Sequence, residues 1–160
     1  MIARKTLFLS AALVALGTST LAQQSCFARH YDTEHLRKNP QQVIDSIAIR
    51  FEGPATDKSN TGEWGDTTVF FHGSDTKYTQ TLYCSSYDKS HYCGVECDGG
   101  RAEIKWKNRD TIYLKTDGFV VSGGCDDTAS DTRLVKDKTD GFTTFRLNRA
   151  SMDNCPPLDD

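Results

Sequence analysis

Two histidines and a carboxylate near residue 30 have types and a spacing that could bind a transition metal. His30, Asp32 and His35 fall within six residues, and such metals accept both imidazole nitrogen and carboxylate oxygen. The spacing implies no further ligand elsewhere, and Asp32 is also placed to cap a short helix. We therefore treat these three residues as weak metal candidates and predict no metal site and no cofactor.

An acidic segment near the C-terminal end could bind a hard cation. Five aspartates share residues 126–140: Asp126, Asp127, Asp131, Asp137 and Asp140. Calcium needs several oxygen ligands, but the ordered D-x-[DN]-x-[DN]-G pattern of a dedicated loop is missing. Three cations are interleaved with the acids, so the segment is better interpreted as a solvated surface loop.

Disulfide chemistry is the strongest chemical signal in the chain. An even set of six cysteines in an exported chain predicts three disulfides, with 15 possible pairings. The alternative is a zinc site on Cys93 and Cys97, although their three-residue gap is wider than that of most zinc knuckles. We expect Cys84 to pair locally, with Cys93 favoured and Cys97 as the competitor. The predicted disulfide residues are Cys26, Cys84, Cys93, Cys97, Cys125 and Cys155.

No catalytic motif is present. The sequence has no G-x-S-x-G elbow, no H-E-x-x-H helix and no phosphate-binding loop, and we predict no catalytic residues. His72 and His91 stand alone in strand-like segments and are interpreted as structural. An enzyme with a dispersed site stays open as an alternative, because carboxylates far apart in sequence can meet in space. Candidates for such a site are Glu63, Asp66, Glu96 and Asp98.

The elements that would position these groups are mainly β-strands. Short β-branched and aromatic segments alternate with turn residues, which predicts a small antiparallel barrel or sandwich of about eight short strands. Residues 101–107 alternate most clearly, with Ala102, Ile104 and Trp106 on the inner face. The remaining strands are predicted near residues 47–51, 67–72, 79–84, 91–97, 111–116, 119–122 and 142–148.

The connections are predicted from turn and helix signals. Residues 23–42 are interpreted as an N-terminal leader with one short helix over 34–38, which Pro40 ends. Asp117-Gly118 predicts a two-residue hairpin between two strands. Residues 53–66 and 126–140 are predicted to be loops.

The first 22 residues resemble a cleaved secretory signal. Arg4 and Lys5 precede a short apolar segment that ends in small residues at Ala22. This predicts a signal peptide over 1–22, the leader over 23–42 and a single disulfide-stapled β domain over 43–160. A periplasmic or secreted protein without a membrane anchor is expected after cleavage. Cleavage would take the net charge from −3 to about −5, which argues against nucleic acid as a partner.

The outer surface offers a possible contact region. Lys105 and Lys107 face away from Trp106 in an alternating strand, so these three do not form one patch. Four tyrosines concentrate between residues 78 and 92, and tyrosine suits contact surfaces because its body is apolar and its tip polar. They could equally pack the hairpin and shield its disulfides.

Several segments together carry a family resemblance. They are Cys26, the Tyr31-Asp32 and His35-Leu36 pairs, Pro40, residues 95–100 (VECDGG), residues 145–147 (FRL) and Cys155. The chain resembles a group of small exported proteins of proteobacteria to which no activity is assigned. The resemblance implies a shared exported domain and supplies no site residues. In its size, export, β pattern and disulfides, the chain also resembles the small-barrel lysozyme inhibitors of Gram-negative periplasms.

Three functional interpretations follow. The first is a non-enzymatic exported β module that binds a protein or a small ligand and could act as an inhibitor. The second is an enzyme with a dispersed carboxylate or metal-assisted site. The third is a structural protein of the envelope. Export, the stapled scaffold, the tyrosines and the missing catalytic motifs favour the first.

Overall fold

The computed structural model describes residues 24–52, 63–87, 90–122, 132–137 and 141–156, and the structural statements below refer to these residues. A single α-helix there, α1, spans Thr33–Lys38, and a 3-10 turn spans Met152–Asn154. No helix in these ranges is long and apolar enough to cross a membrane. The strands are β1 (Ser25–His30), β2 (Ile44–Phe51), β3 (Glu63–Phe71), β4 (Tyr78–Tyr87), β5 (Ser90–Gly94), β6 (Gly100–Asn108), β7 (Thr111–Val121), β8 (Arg133–Val135) and β9 (Thr143–Ala150).

Eight of the described strands close into an antiparallel barrel. Strands β1 to β7 pair with their neighbours in chain order, and β9 lies between β7 and β1, which completes the ring. The short β8 pairs with the end of β7. Closure satisfies the backbone groups that an open sheet would leave at its edges. Of the two predicted architectures, the barrel is confirmed.

The barrel interior is a hydrophobic core to which every strand of the ring contributes. Phe27, Ile49, Leu82, Ile104 and Phe145 are all at most 1% exposed. The alternation predicted for residues 101–107 is confirmed on the inner side. Ala102 and Ile104 are buried there, and Trp106 packs against the core. Strand residues on the other parity therefore point outward, away from the core.

The segment predicted to be a leader contributes a barrel strand. β1 occupies Ser25–His30 and pairs with both β2 and β9. α1 follows β1 and connects it to β2, so the expected helix N-terminal to the sheet is not confirmed. Asp32 caps α1 by accepting a hydrogen bond from the His35 backbone N–H at 2.7 Å. The predicted signal segment, 1–22, lies outside the described residues.

Three predicted connections contain strand residues in the described part of the structure. The Asp117-Gly118 hairpin is wrong, because Thr111–Val121 is one strand with an irregular register opposite Arg101 and Ala102. Gly118 takes a φ of 132°, which is a glycine conformation used in bulges as well as in turns. The predicted loops at 53–66 and 126–140 are also wrong in part, because β3 begins at Glu63 and β8 occupies Arg133–Val135.

Two disulfides join described cysteines. Cys84 and Cys93 are directly opposite each other on β4 and β5 and are bonded, which confirms the local pairing predicted for the hairpin. Cys26 is bonded to Cys155, 129 residues away. Cys97 is disulfide-bonded as well, and Cys125 lies outside the described residues. These bonds indicate an oxidising, non-cytoplasmic environment.

The Cys26–Cys155 disulfide fastens the C-terminal segment to the outside of the barrel. Both cysteines are buried and form a small apolar cluster with Ala48. Ala28 and Met152 pack against that cluster. The outer side of β1 around Cys26 and Ala28 is therefore covered.

Candidate binding surface

The three weak metal candidates do not converge on one point. His30 is exposed at the end of β1, and Asp32 is engaged as the cap of α1. The ring of His35 stacks on Tyr31 at 4.8 Å, and its Nε2 hydrogen-bonds Gln42 Oε1 at 2.9 Å. Within the described ranges, no group of three or more His, Cys, Asp or Glu side chains could hold a metal.

Asp137, from the predicted acidic loop, has a structural contact. Its carboxylate accepts a hydrogen bond from the Val43 backbone N–H at 3.0 Å, which ties the chain after β8 to the start of β2. Burial raises the pKa of Asp137, while the Val43 and Ile44 N–H groups and the nearby His35 oppose that rise. The other four aspartates of the segment lie outside the described residues. The calcium hypothesis therefore receives no support from Asp137.

Two of the dispersed carboxylates meet beside an outward tyrosine. The pKa of Tyr83 is raised by partial desolvation of its hydroxyl, by the charge and hydrogen bond of Glu96 and by the charge of Asp66. Asp66 also accepts a hydrogen bond from the Thr81 hydroxyl at 3.1 Å. Asp98 lies in the turn after β5 with a φ of 59°. This side of the barrel is consequently acidic.

A row of aromatic and basic side chains crosses the outer surface of β4, β5, β6, β7 and β9. The strand registers place Tyr87 beside Ser90, Ser90 beside Lys105, Lys105 beside Tyr113 and Tyr113 beside Arg146. Neighbouring strands are about 4.8 Å apart, so this row spans roughly 19 Å. It contains two cations, two tyrosines and no carboxylate.

A second row runs parallel to the first. Tyr92 lies opposite Glu103, Glu103 opposite Lys115 and Lys115 opposite Thr144. Lys115 Nζ lies 4.4 Å from the ring centre of Phe142, which directly precedes β9. Aromatic rings and cations are thus adjacent in both rows, an arrangement that favours cation–π contact.

We call these two rows and their outward neighbours the basic–aromatic face. It carries five cations against two carboxylates, an excess of three positive charges, although the whole chain has a net charge of −3. Three of its rings are strongly exposed: Tyr87 at 75%, and Tyr92 and Phe142 at 52% each. The face consists of Tyr87, Tyr92, Arg101, Glu103, Lys105, Lys107, Tyr113, Lys115, Asp117, Phe142 and Arg146.

Glu103 organises the centre of this face. Its carboxylate is 2.8 Å from Lys105 Nζ and also accepts hydrogen bonds from the Ser90 and Tyr92 hydroxyls. The hydrogen bond from Lys105 holds the pKa of Glu103 below its usual range, although partial burial opposes this. The carboxylate therefore stays ionised at neutral pH, neutralises Lys105 and orients the ring of Tyr92.

A cleft lies at one side of the face, between β5 and the start of β9. Its volume is about 400 Å³, and its walls include Tyr92, Arg101, Lys115, Asp117 and Phe142. This volume falls within the range of small-ligand sites, about 300–1,000 Å³. Arg101 lies 3.9 Å from Asp117 at one end, so that cation is only loosely paired. We refer to this feature as the β5–β9 cleft.

The β7 irregularity shapes the cleft. The Thr116 hydroxyl donates to the Arg101 carbonyl at 2.6 Å and accepts from the Gly118 N–H at 2.8 Å. These two bonds hold Asp117 and Gly118 in the irregular part of the strand. A bulge of this kind redirects side chains locally, which brings Asp117 to the wall of the cleft.

The fold and this surface define a small disulfide-bonded β-barrel with a charge-segregated outer face. In comparisons with protein-family models, curated proteins and solved structures, nothing matches the chain.

Proposed function

We propose that this chain is an exported, non-enzymatic barrel module that binds an acidic ligand through the basic–aromatic face. The observation that carries the proposal is charge segregation. An excess of positive charge on one face of a net acidic chain attracts anionic partners to that face and repels them elsewhere. The exposed rings beside the cations add contact area at low conformational cost.

Export to the periplasm or the extracellular space is part of the same proposal. The first 22 residues have the composition of a secretory signal, and the disulfides fit an oxidising compartment. A rigid barrel with a hydrophobic core suits recognition on the outer surface, because the strands hold outward side chains at fixed spacing.

The proposal is tested with a double charge reversal and a matched control. The net acidic wild-type chain is expected to be retained on a carboxylate cation exchanger at pH 7 and low salt. The Lys115→Glu/Arg146→Glu variant should bind the exchanger at least about tenfold more weakly. This is a loss of about 1.4 kcal/mol of binding free energy. The Arg37→Glu/Lys38→Glu variant changes the net charge equally on α1 and should be retained like the wild type.

Two outcomes would refute the proposed face. One is wild-type protein that flows through the exchanger at low salt. The other is an equal loss of retention in the two double variants, which would assign the binding to net charge rather than to this face. Circular dichroism of each variant checks that the barrel is intact.

A further inference from the structure

The cations of the face suit a partner whose charges stay hydrated. Three of the five cations of the face are lysines: Lys105, Lys107 and Lys115. A lysine ammonium is a compact and strongly hydrated charge, and lysine is depleted at the dry centres of protein–protein interfaces. A flexible polyanion that keeps its acids in water therefore fits this surface better than a docked protein does.

Aromatic rings and cations lie side by side in the cleft, at a spacing that suits a single sugar ring. Tyr92, Phe142 and Arg101 line it, and Lys115 Nζ lies 4.4 Å from the centre of the Phe142 ring. A sugar ring has apolar C–H faces that pack on aromatic rings, and a carboxylate on that ring would reach a neighbouring cation. A ligand unit uses both the aromatic rings and the cations of the cleft only if it carries a sugar ring and a negative charge together.

The rows extend beyond the cleft and favour a chain of such units. The row from Tyr87 to Arg146 crosses five strands, roughly 19 Å, and repeats aromatic and basic side chains along its length. Nucleic acid fits less well because it carries denser charge, one phosphate per about 3.4 Å of each strand, so the net charge of −3 would repel it more strongly than a chain with one carboxylate per sugar ring.

We infer that the basic–aromatic face binds an acidic polysaccharide, with one sugar-acid unit in the β5–β9 cleft. This inference rests on the proposed function and names its ligand class. Binding is salt-sensitive, because exposed charges are screened over about 10 Å at 0.1 M ionic strength. Tyr92 lies directly opposite Glu103 in the β5–β6 register and lines the cleft, where its ring can contact the sugar.

The experiment is titration of the full mature chain with oligogalacturonate, a linear chain of sugar acids, by calorimetry at low salt. Dextran serves as a neutral glycan, and single-stranded DNA and an acidic protein serve as other polyanions. We expect oligogalacturonate to bind and dextran not to bind. Lys115→Gln and Phe142→Ala should each weaken oligogalacturonate binding about five- to tenfold. This corresponds to about 1–1.4 kcal/mol of binding free energy.

Matched controls separate these losses from general surface changes. Val43 is exposed to 42%, precedes β2 and does not belong to the face, so Val43→Ala should change the affinity less than twofold. Lys38→Gln removes one cation from α1 and should behave in the same way. A comparable loss in these controls would overturn the assignment to the cleft.

The outcomes distinguish failure of the inference from failure of the proposed function. Tighter binding of DNA or acidic protein than of the glycan, lost in Lys115→Glu/Arg146→Glu, would keep the face and overturn the polysaccharide. Equal binding of dextran and oligogalacturonate would overturn acid recognition. Absence of binding to any of the acidic ligands would overturn both.

Discussion

Replacing Cys26 and Cys155 together by alanine is expected to lower the free energy of unfolding by about 5 kcal/mol. The bond closes a loop of 129 residues, and the entropy that a disulfide removes from the unfolded chain grows with loop length. The bond also anchors the C-terminal segment over β1, where both cysteines are buried with Ala48. Urea unfolding followed by circular dichroism measures the loss.

The local disulfide provides the matched comparison. Cys84 and Cys93 are only nine residues apart, so Cys84→Ala/Cys93→Ala should cost about 3 kcal/mol in the same chain-entropy treatment. The test is which of the two double variants loses more free energy of unfolding. A larger loss from the hairpin disulfide than from Cys26–Cys155 would show that the C-terminal attachment contributes little to stability.

Gly100→Ala is expected to destabilise the chain by about 2–4 kcal/mol through backbone strain and overlap. Gly100 has a φ of 93°, which disfavours any residue with a Cβ atom. An added Cβ would collide with the Gly118 carbonyl oxygen and lie 2.8 Å from the Phe119 Cα. Because these atoms belong to the backbone of β7, the irregular segment that shapes the cleft would have to move.

Gly94→Ala is the control for this substitution. A Cβ at Gly94 meets nothing within 4 Å, and its φ is not in the left-handed region. The control should change the free energy of unfolding by less than about 0.5 kcal/mol. Thermal unfolding of both variants gives the comparison. Equal and small effects would mean that β6 and β7 approach less closely at Gly100 than described.

The parts of the fold that sequence predicted correctly depend on local patterns. Residues 101–107 alternate because one side of β6 is buried and the other is solvated, and this period is visible in any single strand. The Cys84–Cys93 bond was predictable because a short loop returns the chain to its neighbour. Neither inference needs contacts between distant segments.

The missed elements each have a physical reason. β1 shows little polar–apolar alternation because its outward residues Cys26 and Ala28 are covered by the C-terminal segment. The Asp117-Gly118 pair suits a bulge as well as a turn, since both use glycine at positive φ. β8 has only three residues, too few for a period to be recognised.

The binding surface could be anticipated only in part. The outward direction of Lys105 and Lys107 follows from alternation, and the tyrosines were recognised as contact residues. Their adjacency depends on the β6–β7 and β7–β9 registers. The β7–β9 register joins residues about 30 positions apart in the sequence. His30, Asp32 and His35 are close in sequence but do not form one cluster. His30 ends β1, and the Asp32 side chain accepts a hydrogen bond from the His35 backbone N–H.

The most direct test of recognition through the basic–aromatic face is chemical-shift mapping. A ¹H–¹⁵N spectrum of the mature chain is recorded while oligogalacturonate is added at low salt. Binding at the face should produce its largest shifts at the amides of Tyr92, Arg101, Lys115 and Phe142, and added salt should reverse them. Shifts confined to α1 and the barrel end near His35, or no shifts at millimolar ligand, would contradict recognition through this face.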